Sequence, residues 1–200
     1  MLTDDILCAR EEDERIEDRE YVREVLTGFE AEKAEFKCVR FSGCRFNECT
    51  FDKGDFIDTV FENCDLSNSR FRNAYFKNCR FTGCRMEGAA FASASFKSCV
   101  FEKCGCAYCS FVSTLWENTN AEDCDLQKSF FSEAVLRKPV FRKVNFAGTD
   151  FYRTKLKGID LSECVITDIL VSDTYAELAG LKVNVMQAAE IAKLLGVRIV

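Results

Sequence analysis

Hydrophobic residues recur at every fifth position from Phe36 to Ile166. Among these 27 positions, 17 are Phe and 5 are Leu, and the others are Met86, Cys106, Trp116, Ala121 and Ile166. A continuous α-helix is excluded because five residues advance about 500°, so successive core residues would cover no single face. A continuous strand is excluded because an odd spacing sends alternate side chains to opposite sides. The period therefore predicts a chain that turns once per five residues and points the central residue of each short extended segment inward.

The residues two positions before these core residues support the same arrangement. None of them is charged, although charged residues make up 30% of the chain, so we predict that they also point inward. Ten of these positions are cysteines, namely Cys44, Cys49, Cys64, Cys79, Cys84, Cys99, Cys104, Cys109, Cys124 and Cys164. Cysteines stacked about 4.8 Å apart exceed the usual Cβ separation of a disulfide, so we expect reduced thiols that fill the interior. Cys8 and Cys38 are then the accessible thiols.

The five-residue units also carry a family resemblance. Units such as Cys44 to Glu48, Cys64 to Asn68, Ala74 to Asn78 and Thr149 to Arg153 resemble pentapeptide repeats, and such units fill about two thirds of the chain. The resemblance implies an all-β solenoid, a right-handed quadrilateral β-helix with four units in each coil of about 20 residues. We expect about seven coils and a rod roughly 32 Å long.

Folding the sequence on this coil gives one inward column for each of four faces. The first face has Phe36, Phe56, Phe76, Phe96, Trp116, Leu136 and Leu156, and the second has Phe41, Phe61, Phe81, Phe101, Ala121, Phe141 and Leu161. The third has Phe46, Leu66, Met86, Cys106, Leu126, Phe146 and Ile166, and the fourth has Phe51, Phe71, Phe91, Phe111, Phe131 and Phe151. Bulky Trp116 and small Ala121 share a coil, which indicates local compensation of volume.

The two ends of the chain depart from the repeat. Residues 1–18 are dominated by charge, so we expect a frayed helix or a mobile tail that is dispensable for folding, and a rod over residues 19–175 whose first coil begins near Tyr21. Residues 176–200 form the third segment. Asn184 is a suitable N-cap for a helix from Val185 to Leu195 that Gly196 ends, followed by a short strand over residues 197–200.

The apolar residues of this C-terminal segment exceed what one helix would leave in water. They cover the open end of the solenoid, and two alternatives stay open: capping alone, or capping together with dimerisation. The residues predicted to form the dimer contact are Met186, Ile191, Leu194, Leu195, Val197 and Ile199.

Composition argues against catalysis and against a membrane span. The chain has no His, which removes the commonest acid-base catalyst near neutral pH, and it contains no phosphate-binding loop or dinucleotide fingerprint. It has no apolar run of about 18 residues, and the N-terminus is acidic where a secretion signal would be basic and then apolar. We expect a cytoplasmic, non-enzymatic protein with no cofactor.

Two clusters have metal-ligand residue types. The spacing of Cys104, Cys106 and Cys109 is that of a Cys-x-Cys-x-x-Cys motif, but all three are predicted to point into a packed interior. A group of acids, Glu117, Glu122, Asp123 and Asp125, lies around the outside of one coil, where solvated surface is the favoured interpretation. We therefore predict no metal site.

Outward positions suggest two surfaces for a protein partner. The acidic surface consists of Glu62, Glu102 and Glu122 on the second face, together with Glu117, Asp123 and Asp125 around the same coil as Glu122. The other surface is an uncharged patch on the fourth face that includes Ala92, Val112 and outward-pointing Phe130. The alternatives are that mixed charge only keeps a rod in solution, and that small residues only permit tight turns. The net charge of -6 comes from residues 1–33, with 12 acids and 5 bases, because residues 34–168 hold 18 acids and 19 bases.

The C-terminal sequence sharpens the resemblance. Residues 180–183 and 186–197 are similar to the C-terminal end of the Qnr quinolone-resistance group. That resemblance implies a homodimeric rod that binds DNA gyrase or topoisomerase IV, imitates duplex DNA, protects the enzyme from quinolones or toxin poisons, and does not itself bind nucleic acid. The charges depart from that pattern, because basic residues interrupt the acids at Arg137, Lys138, Arg142, Lys143, Arg153, Lys155 and Lys157. A rigid scaffold for another cytosolic partner is the alternative.

Overall fold

The computed structural model describes residues 1–198 and is built from stacked coils, each made of four repeat units. Each strand pairs in parallel with the strand one coil away, as in the pairs of Phe56 with Phe76 and Phe61 with Phe81. Parallel stacking with this offset confirms the predicted all-β solenoid with four faces.

Two seven-stranded sheets form the first and second faces. The first sheet contains β1 (Ile16–Glu17), β4 (Glu35–Lys37), β7 (Asp55–Ile57), β9 (Tyr75–Lys77), β11 (Ser95–Lys97), β13 (Leu115–Glu117) and β15 (Val135–Arg137). The second contains β2 (Glu20–Val22), β5 (Arg40–Ser42), β8 (Val60–Glu62), β10 (Arg80–Thr82), β12 (Val100–Glu102), β14 (Asn120–Glu122) and β16 (Val140–Arg142). On the third face, β3 (Val25–Thr27) pairs with β6 (Arg45–Asn47), and single bridges join the remaining coils there and on the fourth face.

The interior is filled by the residues of the five-residue period. All 18 aromatic side chains that we assigned to the core, 17 Phe and Trp116, are at most 6% exposed. Rings of one column stack, as in Phe61 and Phe81 with centroids 4.8 Å apart and planes 3° apart, while rings of adjacent faces meet edge to face. Leu136 differs from the other predicted core positions, because it is only partly buried at the edge of the core.

The corners of the coils use left-handed backbone. The residue two positions after each core residue has a positive φ at most corners, with values of 58° at Asn68 and 60° at Tyr108. Gly and Asn adopt this conformation at low cost. A bulky residue such as Tyr108 therefore occupies a corner that its own backbone preference disfavours.

The N-terminus corrects our expectation about the start of the repeat. Helix α1 (Leu2–Glu12) packs on the open end of the rod with Leu2 and Ile6 buried, and Ile16 pairs with Phe36 one coil away. The repeat register therefore begins at Ile16 rather than near Tyr21. Of the two alternatives for residues 1–18, the structure has a helix, and its buried residues account for the docking.

The C-terminal end closes the rod after the register shifts by two residues. Asp150 bridges Leu170 with the usual offset, whereas Asp160 bridges Lys182. A 3-10 helix (Ala176–Leu178) lies in the shifted segment, and α2 (Val185–Leu194) follows with Asn184 as its N-cap. Gly196 has a φ of 78°, as expected after a helix end.

Two details at this end differ from the sequence prediction or lie beyond the structure. Helix α2 ends one residue earlier than predicted, and Val197 and Arg198 belong to no strand. The rest of the predicted strand, Ile199 and Val200, lies outside the described residues. Across residues 1–198, neither α-helix is long and apolar enough to cross a membrane.

Candidate partner-binding surfaces

The buried cysteines have a structural task. Cys64 Sγ donates to the carbonyl oxygen of Phe41 at 3.3 Å, and Cys84 Sγ donates to that of Phe61 at 3.3 Å. Thr119 uses its hydroxyl in the same way, toward the carbonyl of Phe96 at 3.1 Å. The small inward position therefore provides a donor to the backbone of the preceding coil, as buried carbonyls require.

The thiols are free and do not form a metal site within the described chain. All 13 cysteines are unbridged. Burial raises the pKa of Cys49 and Cys164, so these groups are neutral thiols. Among residues 1–198, no three His, Cys, Asp or Glu side chains are grouped to hold a metal ion, either at the cysteine cluster or in the acidic group.

The acids predicted on the second face are largely paired with arginines. Glu62 forms an ion pair with Arg40 at 2.8 Å, and Glu102 forms one with Arg80 at 3.7 Å. On the first face, Glu117 pairs with Arg137 at 3.8 Å. Strands β5, β10 and β15 place these three arginines beside the carboxylates, so Glu62, Glu102 and Glu117 are neutralised. These exposed pairs contribute little stability but remove free negative charge.

The other predicted acids lie around one coil. Glu122 and Asp123 are exposed and have no ion pair within residues 1–198. Asp125 is half-buried, and its carboxylate accepts hydrogen bonds from Gln127 N at 3.1 Å and Asn145 Nδ2 at 3.0 Å. Glu102 stacks directly beside Glu122 through the pairing of β12 with β14. The structure thus brings the acids together as a belt at the corner of the second and third faces.

The uncharged patch lies on the opposite side of the rod from the acids of the second face. Ala92 and Val112 lie in adjacent coils of the fourth face, and Phe130 bridges Ser110 there and is 46% exposed. Because the second and fourth faces point in opposite directions, the acids and the patch cannot form one contact surface. They are two separate candidate sites.

A basic coil adjoins the acidic belt. Residues 137–157 hold seven Lys or Arg and one acid, and the following residues 158–178 hold five acids and no base. Some charges pair across coils, as Arg153 does with Glu133 at 3.2 Å. The rod therefore presents alternating bands of charge, unlike the uniform negative charge of a DNA duplex.

Some apolar residues at the C-terminal helix pack against the core, and others are exposed. Ile191 and Leu194 are partly buried against the core. Met186 is 79% exposed, and Leu195 and Val197 are each 52% exposed. The cap therefore uses Ile191 and Leu194 of the predicted dimer set, while Met186, Leu195 and Val197 leave exposed apolar surface near the end of the rod.

Comparison with known families identifies the repeat. A family model for the pentapeptide repeat region matches residues 34–111 and 74–151. The chain belongs to the pentapeptide repeat family. This agrees with the parallel stacked coils and with the thiols and hydroxyls at the small inward position. No curated protein matches the sequence.

Solved structures of pentapeptide repeat proteins resemble this one in fold. A structure of QnrB1, a plasmid-mediated fluoroquinolone resistance protein, is 21% identical, with a TM-score of 0.51 over 93% of this chain and 99% of that chain. HetL, involved in heterocyst differentiation regulation in the cyanobacterium Nostoc sp., is 17% identical, with a TM-score of 0.39 over 84% of this chain and 92% of that chain. At 21% identity, the likeness to QnrB1 concerns the fold alone.

Several polar residues at the rod end were missed by sequence reasoning. Glu177 is 4% exposed, and its carboxylate accepts hydrogen bonds from the backbone N–H groups of Arg153 at 2.8 Å and Ser172 at 3.3 Å. The side chain of Gln187 donates to the carbonyl of Leu161 at 2.7 Å. These groups complete hydrogen bonds that the next coil would make. Of these residues, only Gln187 is indicated by a sequence pattern, because it is the third residue after the N-cap Asn184 and so fits a capping box.

Proposed function

We propose that this pentapeptide repeat protein is a non-catalytic rod that binds a type II topoisomerase, DNA gyrase or topoisomerase IV, and protects it from quinolones or toxin poisons. The observation that carries the proposal is the C-terminal end. Its sequence resembles that of the Qnr group, and it combines a capped helix with exposed Met186, Leu195 and Val197. The fold in common with QnrB1, a fluoroquinolone resistance protein, agrees with this assignment.

The proposal includes a homodimer joined through the C-terminal ends and a cytoplasmic location. Exposed apolar side chains at a rod end are removed from water when two ends meet, which favours association. Thirteen free thiols fit a reducing compartment such as the cytoplasm. No direct contact with nucleic acid is included.

The charge distribution restricts how such a rod imitates DNA. Glu62, Glu102 and Glu117 are paired with arginines, so the free acids of the belt, Glu122 and Asp123, are the residues available to the cationic DNA-binding surface of a topoisomerase. DNA mimicry in this protein is therefore local, at the corner of two faces, rather than spread along the rod.

A supercoiling assay with purified gyrase and a fluoroquinolone tests the proposal. We expect the protein to restore supercoiling in the presence of the drug, or to inhibit gyrase at higher concentration. Topoisomerase IV decatenation is the parallel assay. If the protein neither protects nor inhibits either enzyme at any concentration, the topoisomerase proposal is wrong.

The second candidate is a rigid scaffold for another partner, and one observation favours it. The patch at Ala92, Val112 and Phe130 lies on the face opposite the acids. A contact made through the acids in the manner of DNA would therefore leave this patch uncovered. Two results together favour the scaffold. The protein has no effect in the gyrase assay, and a partner captured in pull-downs is lost with Val112→Asp but kept with the control Val22→Asp.

A further inference from the structure

The fourth face carries two outward columns that cross the uncharged patch. Bridges between adjacent coils align the first column in the order Arg70, Ala90, Ser110, Phe130 and Asp150. Backbone hydrogen bonds at the neighbouring corners align the second column in the order Arg72, Ala92, Val112, Ser132 and Tyr152. Both columns therefore span five coils with Ser110 and Val112 at the centre.

The residues at equal distances from this centre are complementary. Arg70 lies two coils to one side of the centre and Asp150 lies two coils to the other side, and their charges are opposite. Ala90 and Phe130 lie one coil to either side, and one side chain is small where the other is large. In the second column, Arg72 corresponds to Tyr152, whose ring already has the guanidinium group of Arg153 over it at 4.9 Å, so the first column carries the complementarity.

This order matches a contact between two antiparallel copies. A two-fold axis that lies in the contact plane and runs along the strands through Ser110 brings each column against itself in reverse order. Arg70 of one copy then meets Asp150 of the other, and Ala90 meets Phe130. We propose that the fourth face is a self-complementary surface that pairs with a second copy of this chain, side by side and antiparallel.

The side chains needed for this contact are accessible. Phe130 is 46% exposed and Tyr152 is 41% exposed. Neither Asp150 nor Arg72 forms an ion pair within residues 1–198. In that part of the chain, the carboxylate of Asp150 accepts hydrogen bonds only from the hydroxyl of Ser132 and the backbone N–H of Tyr152. Arg70 holds Asp52 at 3.1 Å, and the opposed Asp150 adds a second carboxylate to the same guanidinium group.

The size of the face sets the strength of the contact. Five coils of about 4.8 Å and a face about 10 Å wide give roughly 500 Å² for both copies together, less than stable dimers bury. The pairing is therefore weak and reversible, and it becomes visible at high protein concentration. It does not depend on the C-terminal contact proposed above, because the two surfaces are on different parts of the rod.

Cross-linking tests the position of the axis. In a chain with Cys8→Ser, Cys38→Ser, Met186→Asp and Leu195→Asp, which removes both accessible thiols and the C-terminal contact, we expect Ser110→Cys to form a disulfide-linked dimer under mild oxidation. The matched control is Ser42→Cys on the second face, with little dimer expected. Equal yields from both positions, or no dimer from Ser110→Cys, overturn the proposal.

Charge reversal tests the pairing itself. In sedimentation equilibrium on the Met186→Asp, Leu195→Asp chain, we expect Arg70→Asp alone and Asp150→Arg alone each to weaken self-association about tenfold or more. An equimolar mixture of these two variants places opposite charges at both contacts, so association should return. If the mixture associates no better than either variant alone, the antiparallel register is wrong. Melting of each variant separates a loss of pairing from a loss of fold.

Discussion

The hydroxyl of Tyr21 donates a hydrogen bond of 2.6 Å to Oδ2 of Asp5, which joins helix α1 to the first coil of the rod. Burial raises the pKa of Tyr21, and the hydrogen bond to Asp5 raises it further, so the phenol stays a neutral donor. With Leu2 and Ile6 buried beneath the helix, this contact makes α1 a cap over the open edge of the solenoid.

The first prediction concerns this cap. Ile6→Ala should lower the free energy of unfolding by about 2 to 3 kcal/mol, because it removes a buried side chain and leaves a cavity. Leu7→Ala is the matched control on the same helix, since Leu7 is 45% exposed and should change little. Urea denaturation measures both. Equal, small effects would mean that α1 does not stabilise the rod.

The second prediction concerns Trp116 and Ala121, which share a coil. Trp116 stacks on Phe101 of the second face at 5.2 Å with planes 21° apart, and Ala121 pairs with the same Phe101 from the adjacent coil. Ala121→Phe alone should cost about 2 to 3 kcal/mol through overpacking. Trp116→Phe combined with Ala121→Phe should recover much of that loss, because two Phe rings restore the regular columns.

A double-mutant cycle by chemical denaturation measures this coupling. Trp116→Phe alone also removes the indole N–H of Trp116, which is buried and has no hydrogen-bond partner among residues 1–198. Strict additivity of the two single changes would contradict the shared-volume explanation.

The third prediction concerns the buried carboxylate at the end of the rod. Burial by itself raises the pKa of Glu177, but hydrogen bonds from its own backbone, Arg153 and Ser172 outweigh it and hold the pKa below the usual value of 4.5. The charged form therefore stabilises the fold above the unfolded-state pKa, and this contribution is lost as the pH falls through the lower folded-state pKa.

Glu177→Ala should cost about 1 to 3 kcal/mol at neutral pH, because it leaves the N–H groups of Arg153 and Ser172 without their acceptor. The difference from the parent protein should shrink below about pH 4. Asp173→Asn changes an exposed carboxylate nearby and is the control. Thermal melting across pH 3 to 7 supplies the comparison, and a constant difference would show that ionisation of Glu177 is irrelevant.

The fourth prediction concerns the C-terminal contact. Met186→Asp with Leu195→Asp should convert a dimer to a monomer in light scattering. Both native side chains are exposed, and a dimer contact at these positions would have to desolvate the introduced carboxylates. Ile191 is a poorer choice than the sequence suggested, because it packs against the core and its replacement would damage the cap. Val25→Asp, on an exposed apolar residue near the other end, should leave the dimer intact.

The fifth prediction concerns the acidic belt. Glu122→Lys with Asp123→Lys should weaken protection of gyrase by about tenfold or more, because it reverses the free charge that faces a cationic surface. Glu11→Lys with Glu12→Lys makes the same change in net charge on helix α1 and should have little effect. Comparable losses from both pairs would indicate a response to net charge rather than to the belt.

Much of the rod followed from the amino-acid order. The positions of Phe91 and Cys84 in the period were enough to assign both to the interior, because a period of five excludes a continuous helix or strand and the small position is never charged. The charge state of the candidate surfaces did not follow from the amino-acid order. Glu62 and Arg40 belong to adjacent coils and are distant in sequence, so their ion pair appears only when the coils stack.

The sequence by its spacing determined that this chain turns once per five residues, buries a column of Phe and Cys side chains, and forms a helix from Asn184, and its resemblance to pentapeptide repeats implied the four-sided coil. The stacking of the coils established which acids are free, where the acids and the uncharged patch lie relative to each other, and how α1 and Glu177 close the two ends. Those properties depend on contacts between coils and on the unpaired backbone groups of the first and last coils, and local spacing does not specify either.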